Sequence, residues 1–269
     1  MELVIKLARA YKGSLPAFRS GWTRVLVPGA LFAVWQGVTA GGLVKPILLP
    51  SPQAVLAAFL AMAGSGELVT HLTASIARVL EGFALAAVLG VGLGLALGIF
   101  PALYELMSGV IDLIRPIPPI AWLPLAILWF GIEEGSKVFI IALGAFFPIF
   151  TNVLDGIRQT DYKFVELARV LAVSRRKFVI KVIIPGALPG IMTGLRVGLA
   201  FAWMCVVAAE LSAGMKGVGY MLTDARALAQ TDKVLVGMLT IGVIGKAMDG
   251  LLHKLEKRIV GWKTSYTGM

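Results

Sequence analysis

The chain is built of apolar runs about 20 residues long, separated by short segments that carry most of its charge. A helix needs ~20 mostly apolar residues to cross a bilayer. Six stretches meet that length: Trp22 to Leu43, Val79 to Phe100, Leu106 to Phe130, Val138 to Ile157, Leu188 to Ala209, and Val234 to Leu252. The pattern predicts an all-α integral membrane protein with six transmembrane helices. After the first span, "LLPSPQAVLAAFLAMA" predicts a short apolar helix. Ser51 can cap it and Pro52 suits its first position. Such a helix would lie at the outer interface or pack on the bundle.

Within the spans, small residues recur every fourth position. Span two carries Gly82, Ala86, Gly90, Gly94 and Gly98; span five carries Gly186, Gly190, Gly194, Gly198 and Ala202. Residues four apart share a helix face, so each span has a flat ridge where another backbone can approach closely in lipid. The ridges serve either packing within the chain or a sliding or dimer interface. Span three, "IRPIPPIAWLPLAILWFG", holds Pro116, Pro118, Pro119 and Pro124. Each proline removes a backbone donor and breaks or kinks a helix. Broken backbone at membrane depth persists only where protein or a water-filled cavity satisfies it. The prolines therefore mark either a break beside a translocation path or a simple kink.

Composition agrees with the pattern. The 269 residues are 58% hydrophobic and 15% charged, against about 25% charge in soluble domains. Two soluble domains, the expectation from length, are excluded. The net charge of +10 does not point to nucleic acid, because the basic residues lie mainly between spans. One group is the N-terminal arm with Lys6, Arg9, Lys12, Arg19 and Arg24. A second, after span four, holds Arg158, Lys163, Arg169, Arg175, Arg176, Lys177 and Lys181. The tail adds Lys254, Lys257, Arg258 and Lys263. With six spans all three fall on one side, which is then cytoplasmic. Residues 1–21 read as a cytoplasmic arm and residues 22–269 as a single transmembrane domain, with both termini cytoplasmic. The first apolar run reads as an uncleaved span rather than a signal peptide.

No catalytic chemistry is visible. The single Cys205 gives no disulfide framework, and His71 and His253 are too far apart for metal-ligand spacing. There is no phosphate loop, H-E-x-x-H motif or nucleophile elbow. Glu133 and Glu134 are adjacent and do not face each other on a helix. No catalytic residue and no metal site are expected, which leaves transport, anchoring or coupling to a partner. Charges in or near the spans include Arg78, Glu81, Asp112, Arg115, Asp155, Arg196, Glu210, Lys246 and Asp249, several of them near predicted span ends where they can snorkel or pair. Charges in membranes are expensive and often functional. Lys246 and Asp249, three apart, can satisfy each other. Glu210, at the outer end of span five, is the foremost candidate.

The stretch "VELARVLAVSRRKFVIKVIIPGALP", residues 165–189, stands out for its charge. Asp161 can cap a helix in which Phe164, Leu167, Ala168 and Leu171 form one apolar stripe. Ser174 can cap a second helix, predicted to stop before Pro185. This hairpin could rest on lipid head groups or dock in a groove of another protein.

The same stretch resembles the E-A-A-x3-G-x9-I-x-L-P loop of binding-protein-dependent ABC importer permeases. Glu166, Ala168 and Pro185 match the pattern, Val182 stands for its isoleucine and Ile184 for its leucine, while Leu167 replaces its second alanine and Ala172 its glycine. "LPSP", "LIRPIPPIAWLPLAILWFGI", "FFPIF", "VIIPGALPGIMTGLRVGL" and "VVAAELSA" resemble the sulfonate, taurine and nitrate branch, nearest to aliphatic sulfonate and taurine members, from about Val44 to Trp262. The resemblance implies the type I importer permease fold and a coupling helix within residues 158–185, seated in a cleft of an ATPase subunit. Glu166, Leu167, Ala168, Arg169, Leu171, Ala172 and Pro185 would carry the coupling. Pro116, Pro118, Pro119, Trp122, Trp203 and Glu210 are the candidate residues of the translocation path. Implied partners are a second copy of the chain, two cytoplasmic ABC ATPase subunits and a periplasmic or extracellular solute-binding protein, in a bacterial inner membrane. The chain itself needs no cofactor, since ATP and Mg belong to the ATPase. The implied cargo is a small organic anion such as an aliphatic sulfonate or taurine, alternatively nitrate, cyanate or another small solute. An ion-coupled secondary transporter would instead show an internal repeat with paired broken helices, but only one span is proline-broken. A membrane anchor without a path is the remaining class.

Overall fold

A computed structural model describes residues 23–160 and 162–261. The described residues form helices: α1 Thr23–Ala40, α2 Pro52–Gly64, α3 Glu67–Ile99, α4 Pro101–Ile114, α5 Leu123–Phe130, α6 Glu134–Arg158, α7 Tyr162–Val170, α8 Arg175–Phe178, α9 Ile184–Ala213, α10 Val218–Ala227 and α11 Thr231–Ile259. Four runs are long and apolar enough to cross a membrane: Glu67–Ile99, Glu134–Arg158, Arg175–Ser212 and Thr231–Ile259. The pair Pro101–Ile114 and Pro119–Phe130 passes the same test together but is bent by 85°. The apolar part of α1, Val25–Ala40, is shorter.

Helix α6 is the axis of the molecule, with α3 on one side and α9 on the other. The two ridges of small residues both face it. A Cβ on Gly94 would lie 2.8 Å from Val153, and one on Gly90 3.0 Å from Ile149. From the other side, a Cβ on Gly190 would lie 2.8 Å from the Asn152 carbonyl, and one on Gly194 2.9 Å from the Asn152 side chain. Both ridges thus serve packing within the chain. Ile140, Ile141, Ala145, Ile149 and Val153 of α6 fill the seams and are fully buried. Leu89 and Leu93, off the α3 ridge, face outward. In lipid this packing is held by van der Waals contact rather than by exclusion of water.

Helix α2 begins as its sequence predicts: Ser51 Oγ accepts from the Ala54 N–H at 3.3 Å, and Pro52 occupies the first turn. It packs with the start of α3, α10 and α11 around Val55, Met62, Leu68 and Val236. Trp35 anchors α1 to this end by donating its indole N–H to the Pro50 carbonyl at 3.0 Å.

Three boundaries differ from the expectation. The span predicted from Val79 starts at Glu67, so Arg78 and Glu81 lie inside a helix rather than near its end. Its polar first turns are tolerated because Thr70 and Thr73 donate their hydroxyls to the carbonyls of Gly66 and Val69, at 2.9 and 2.8 Å. Span three is not one helix but two, which decides for a break between the two readings its prolines allowed. Finally, the second hairpin helix does not stop before Pro185. Helical backbone runs from Arg175 to Ser212 without interruption. One wide turn, Val179–Ile183, lets the Ile184 N–H reach the Val179 carbonyl five residues back. Pro185 follows this wide turn directly, so the helix carries on through a residue that lacks an N–H.

Candidate functional site

Three groups of polar or unpartnered side chains interrupt the apolar body. The first is the hairpin. Helix α7 ends when the Val173 N–H reaches back to the Ala168 carbonyl at 2.9 Å, with Ala172 in the left-handed region at φ 48°. Such a closure normally uses glycine at this place. Ser174 precedes α8, but its hydroxyl makes no capping bond. Asp161, expected to cap α7, lies outside the described residues, as does the Arg169 side chain. Phe164, Leu167 and Leu171 stay about half exposed, and with Ala168, Lys177 and Phe178 they line a groove of about 330 Å³ between α7 and α8. Glu166 is exposed beside it. The hairpin packs close to the α3–α4 corner, where Arg175 donates to the Ile99 carbonyl at 3.4 Å and stacks over Phe100.

The second group is an ionic cluster at the opposite end. Glu210 is 1% exposed. Its carboxylate accepts from Arg78 Nη1 at 2.7 Å, from Ser75 Oγ at 2.8 Å and from the Gly219 N–H at 2.8 Å. Arg78 also holds Glu134 through Nε and Nη2, and it donates to the Lys216 carbonyl at 2.6 Å. Ser75 accepts from the Val218 N–H at 2.9 Å, and His71 Nδ1 accepts from the Gly217 N–H at 3.1 Å. The cluster ties α3, α6 and α9 to the loop before α10. Gly217, at φ 120°, is needed there twice: for its backbone angle, and because a side chain would run into the Glu210 carboxylate. Glu210 is therefore enclosed and fully bonded. Breaking such a buried pair by removing one partner costs about 3–5 kcal/mol.

The third group lies along α6. Asn152, Asp155 and Gln159 of α6, with Thr193 and Pro189 of α9, line a polar cleft of about 420 Å³ toward the hairpin end. The sequence reading noted Asp155 only as a charge near a span end. The polar spacing along the lower half of span four was the available signal for the rest. On the neighbouring part of α6, Gly144, Phe147 and Thr151 line a smaller cavity with Arg115 and Pro119 from the break and Phe201 from α9.

Of the expected path residues, Pro119 and Trp122 belong to one 3₁₀ turn directly before α5, and Pro118 caps it. Pro116 is exposed in the break. Trp203 is buried against α6, in the main core, and Trp122 packs on that core's edge. The structure thus brings the break residues together around α6 and leaves Glu210 apart in its cluster. Arg196 of α9 meets Asp249 at 2.9 Å and Glu256 at 3.1 Å on α11. Lys246 lies 3.8 Å from Asp249 along the same helix, as their spacing allows, while the shorter contact of Asp249 is the one across to Arg196.

The comparisons with known proteins agree with this architecture. Residues 86–261 match the model of the family described as binding-protein-dependent transport system inner membrane component. The chain is 41% identical over 251 residues to a Bacillus subtilis (strain 168) protein named for aliphatic sulfonates transport, covering 93% of this chain and 91% of that one. It is 36% identical over 260 residues to the taurine transport system permease protein of Escherichia coli (strain K12), covering 95% and 94%. It is 32% identical over 239 residues to the nitrate import permease protein of Synechocystis sp., covering 86% of each. A structure of the MetNI methionine ABC transporter superposes with a TM-score of 0.56 at 21% identity, covering 71% of this chain and 93% of that one. The family match spans more than half of the chain, relatives above 30% identity are covered over most of their length, and the chain belongs to the binding-protein-dependent transport system inner membrane component family.

Proposed function

We propose that the chain is the membrane-spanning permease of an ATP-driven importer for a small organic anion, an aliphatic sulfonate or taurine. The observation that carries the coupling half of this reading is the hairpin. It has a half-exposed apolar stripe, Phe164, Leu167 and Leu171, beside an exposed Glu166. It continues as unbroken helix into the span α9. A docked ATPase subunit would cover the stripe, and any displacement of the hairpin would pass into α9 as into a lever. Glu166, Leu167, Ala168, Arg169 and Leu171 form the docking face, Ala172 the turn, and Pro185 the entry to the span.

The remaining parts follow from this role. α1 and the bent α4–α5 pair complete six crossings. Residues 22–269 act as one transmembrane domain behind the arm 1–21, with both termini and the hairpin cytoplasmic. Two copies flank the path, with an ATPase under each and a solute-binding protein outside. ATP and Mg stay on the ATPase, and the chain itself performs no chemistry. The path runs along the break, Pro116, Pro118, Pro119 and Trp122, and the polar face of α6, with Trp203 behind it. Glu210 holds the outer loop rather than touching cargo. The names of the relatives favour a sulfonate; the nitrate-importing relative supports a smaller anion as the second reading.

The test is reconstitution with the cognate ATPase and binding protein. Glu166→Lys is expected to abolish binding-protein-stimulated ATP hydrolysis, at least tenfold, with the permease still inserted. Unchanged stimulation would sink the coupling role. Uptake of labelled taurine, ethanesulfonate and nitrate then identifies the cargo.

A further inference from the structure

A guanidinium at membrane depth must be paired with a carboxylate, reach an interface or face water. Arg78 and Arg196 are paired with carboxylates in the clusters described above. Arg115 is different. It closes α4 directly before the proline break. Fourteen helical residues lead up to it from Pro101, a rise of about 21 Å from the hairpin end. Among the described residues its guanidinium has no ion-pair partner within 4.0 Å and no side-chain hydrogen bond. Arg115 is itself exposed, and Asp112, one turn earlier, is exposed and does not pair with it, so the guanidinium must face water or an interface.

Arg115 instead lines a cavity of about 200 Å³ whose other walls include Pro119, Gly144, Phe147, Thr151 and Phe201. Those α6 residues lie near the middle of Glu134–Arg158, and Phe201 near the middle of Ile184–Ala213. With the proposed six crossings the cavity lies toward the middle of the membrane, where broken backbone requires a protein wall or water. Its polar inventory is narrow. Thr151 spends its hydroxyl proton on the Phe147 and Pro148 carbonyls, at 2.9 and 3.3 Å. Pro148 has no N–H to offer the Gly144 carbonyl. The cavity thus presents one cationic side chain among aromatic, aliphatic and proline walls.

We propose that Arg115 forms an anion-recognising stopping point for the cargo at the middle of the path. Its planar fork suits two oxygens of an R–SO₃⁻ group. Phe147, Phe201 and Pro119 accept a short carbon chain. The volume of about 200 Å³ is enough for a small sulfonate. This rests on the reading of the chain as a permease for small organic anions, and it assigns that cargo a residue within the membrane.

Binding is measured on the permease–ATPase complex without binding protein, by titration with ethanesulfonate. Saturable binding is expected, weakened at least tenfold by Arg115→Gln and less by Arg115→Lys. Both variants are checked for monodisperse assembly, and Arg115→Lys, which keeps the charge, covers a folding failure of Arg115→Gln. Wild-type complex that binds no ethanesulfonate overturns the proposal, as does Arg115→Gln binding as tightly as wild type or Arg115→Lys binding no better than Arg115→Gln. The importer reading fails on a different result: no ATP-driven uptake of any small anion by the wild-type complex with its binding protein.

Discussion

Ala172 holds a left-handed backbone angle, φ 48°, in the turn between α7 and α8. The Cβ of an L-residue makes that conformation unfavourable by roughly 1–2 kcal/mol. The Val173–Ala168 bond and the run of helix after Ser174 keep it there. Ala172→Gly should therefore stabilise the turn, by about 0.5–1 kcal/mol once the entropy of glycine in the unfolded chain is subtracted. Ala172→Val should destabilise it by more, because a β-branched residue tolerates positive φ least. Hydrogen exchange across residues 162–180 of the purified protein reads this directly: protection should rise in the glycine variant and fall in the valine variant. Faster exchange in Ala172→Gly would mean that the turn is not under strain. The position was legible in the sequence, because a glycine was missing from a pattern that wants one. The partners of Glu210 were not legible. Ser75 and Arg78 lie 135 and 132 residues away along the chain, and no periodicity links them.

Among the elements, α6 decides the fold, and its seams were readable from their complement. A ridge of small residues every fourth position says that a backbone approaches there; it does not say which one. Both ridges turn out to approach the same helix. The cost of filling them follows from geometry. A methyl on Gly94 would meet Val153 at 2.8 Å and the Phe150 carbonyl at 3.1 Å, whereas one on Gly92, on the same helix, meets nothing within 4 Å. Gly94→Ala should destabilise the chain by about 1–3 kcal/mol through overpacking, and Gly92→Ala should be neutral or stabilising by up to ~1 kcal/mol. Thermal denaturation in one detergent compares the two. Equal effects would show that α3 and α6 are not seated as described. Two other elements escaped the sequence for physical reasons. The prolines of span three announced a break but not its angle of 85°, because a proline deletes a bond without choosing the direction of the next helix. Pro185 looked like a stop, but the helix passes through it behind the wide turn at Val179–Ile183.

Across the whole molecule, charge is divided between two ends. Arg158, Arg175, Arg176, Lys177 and Lys181 gather where α6 ends and α9 begins, together with Lys254, Lys257 and Arg258 at the close of α11. At the other end, Arg78 and Lys137 are tied to Glu134, and Lys233 lies 3.8 Å from Glu67. An end rich in unneutralised Lys and Arg is retained in the cytoplasm. This sets the direction of the proposed lever, since the hairpin can meet an ATPase only from that side. Cys205 is buried, so an added cysteine can report alone. Lys177 and Lys216 are both exposed, at opposite ends. Lys216→Cys should react with a membrane-impermeant thiol reagent on intact cells, and Lys177→Cys only after the cells are permeabilised. The reverse pattern would place the hairpin outside, leave its apolar stripe without an ATPase to receive it, and remove the coupling role together with the orientation.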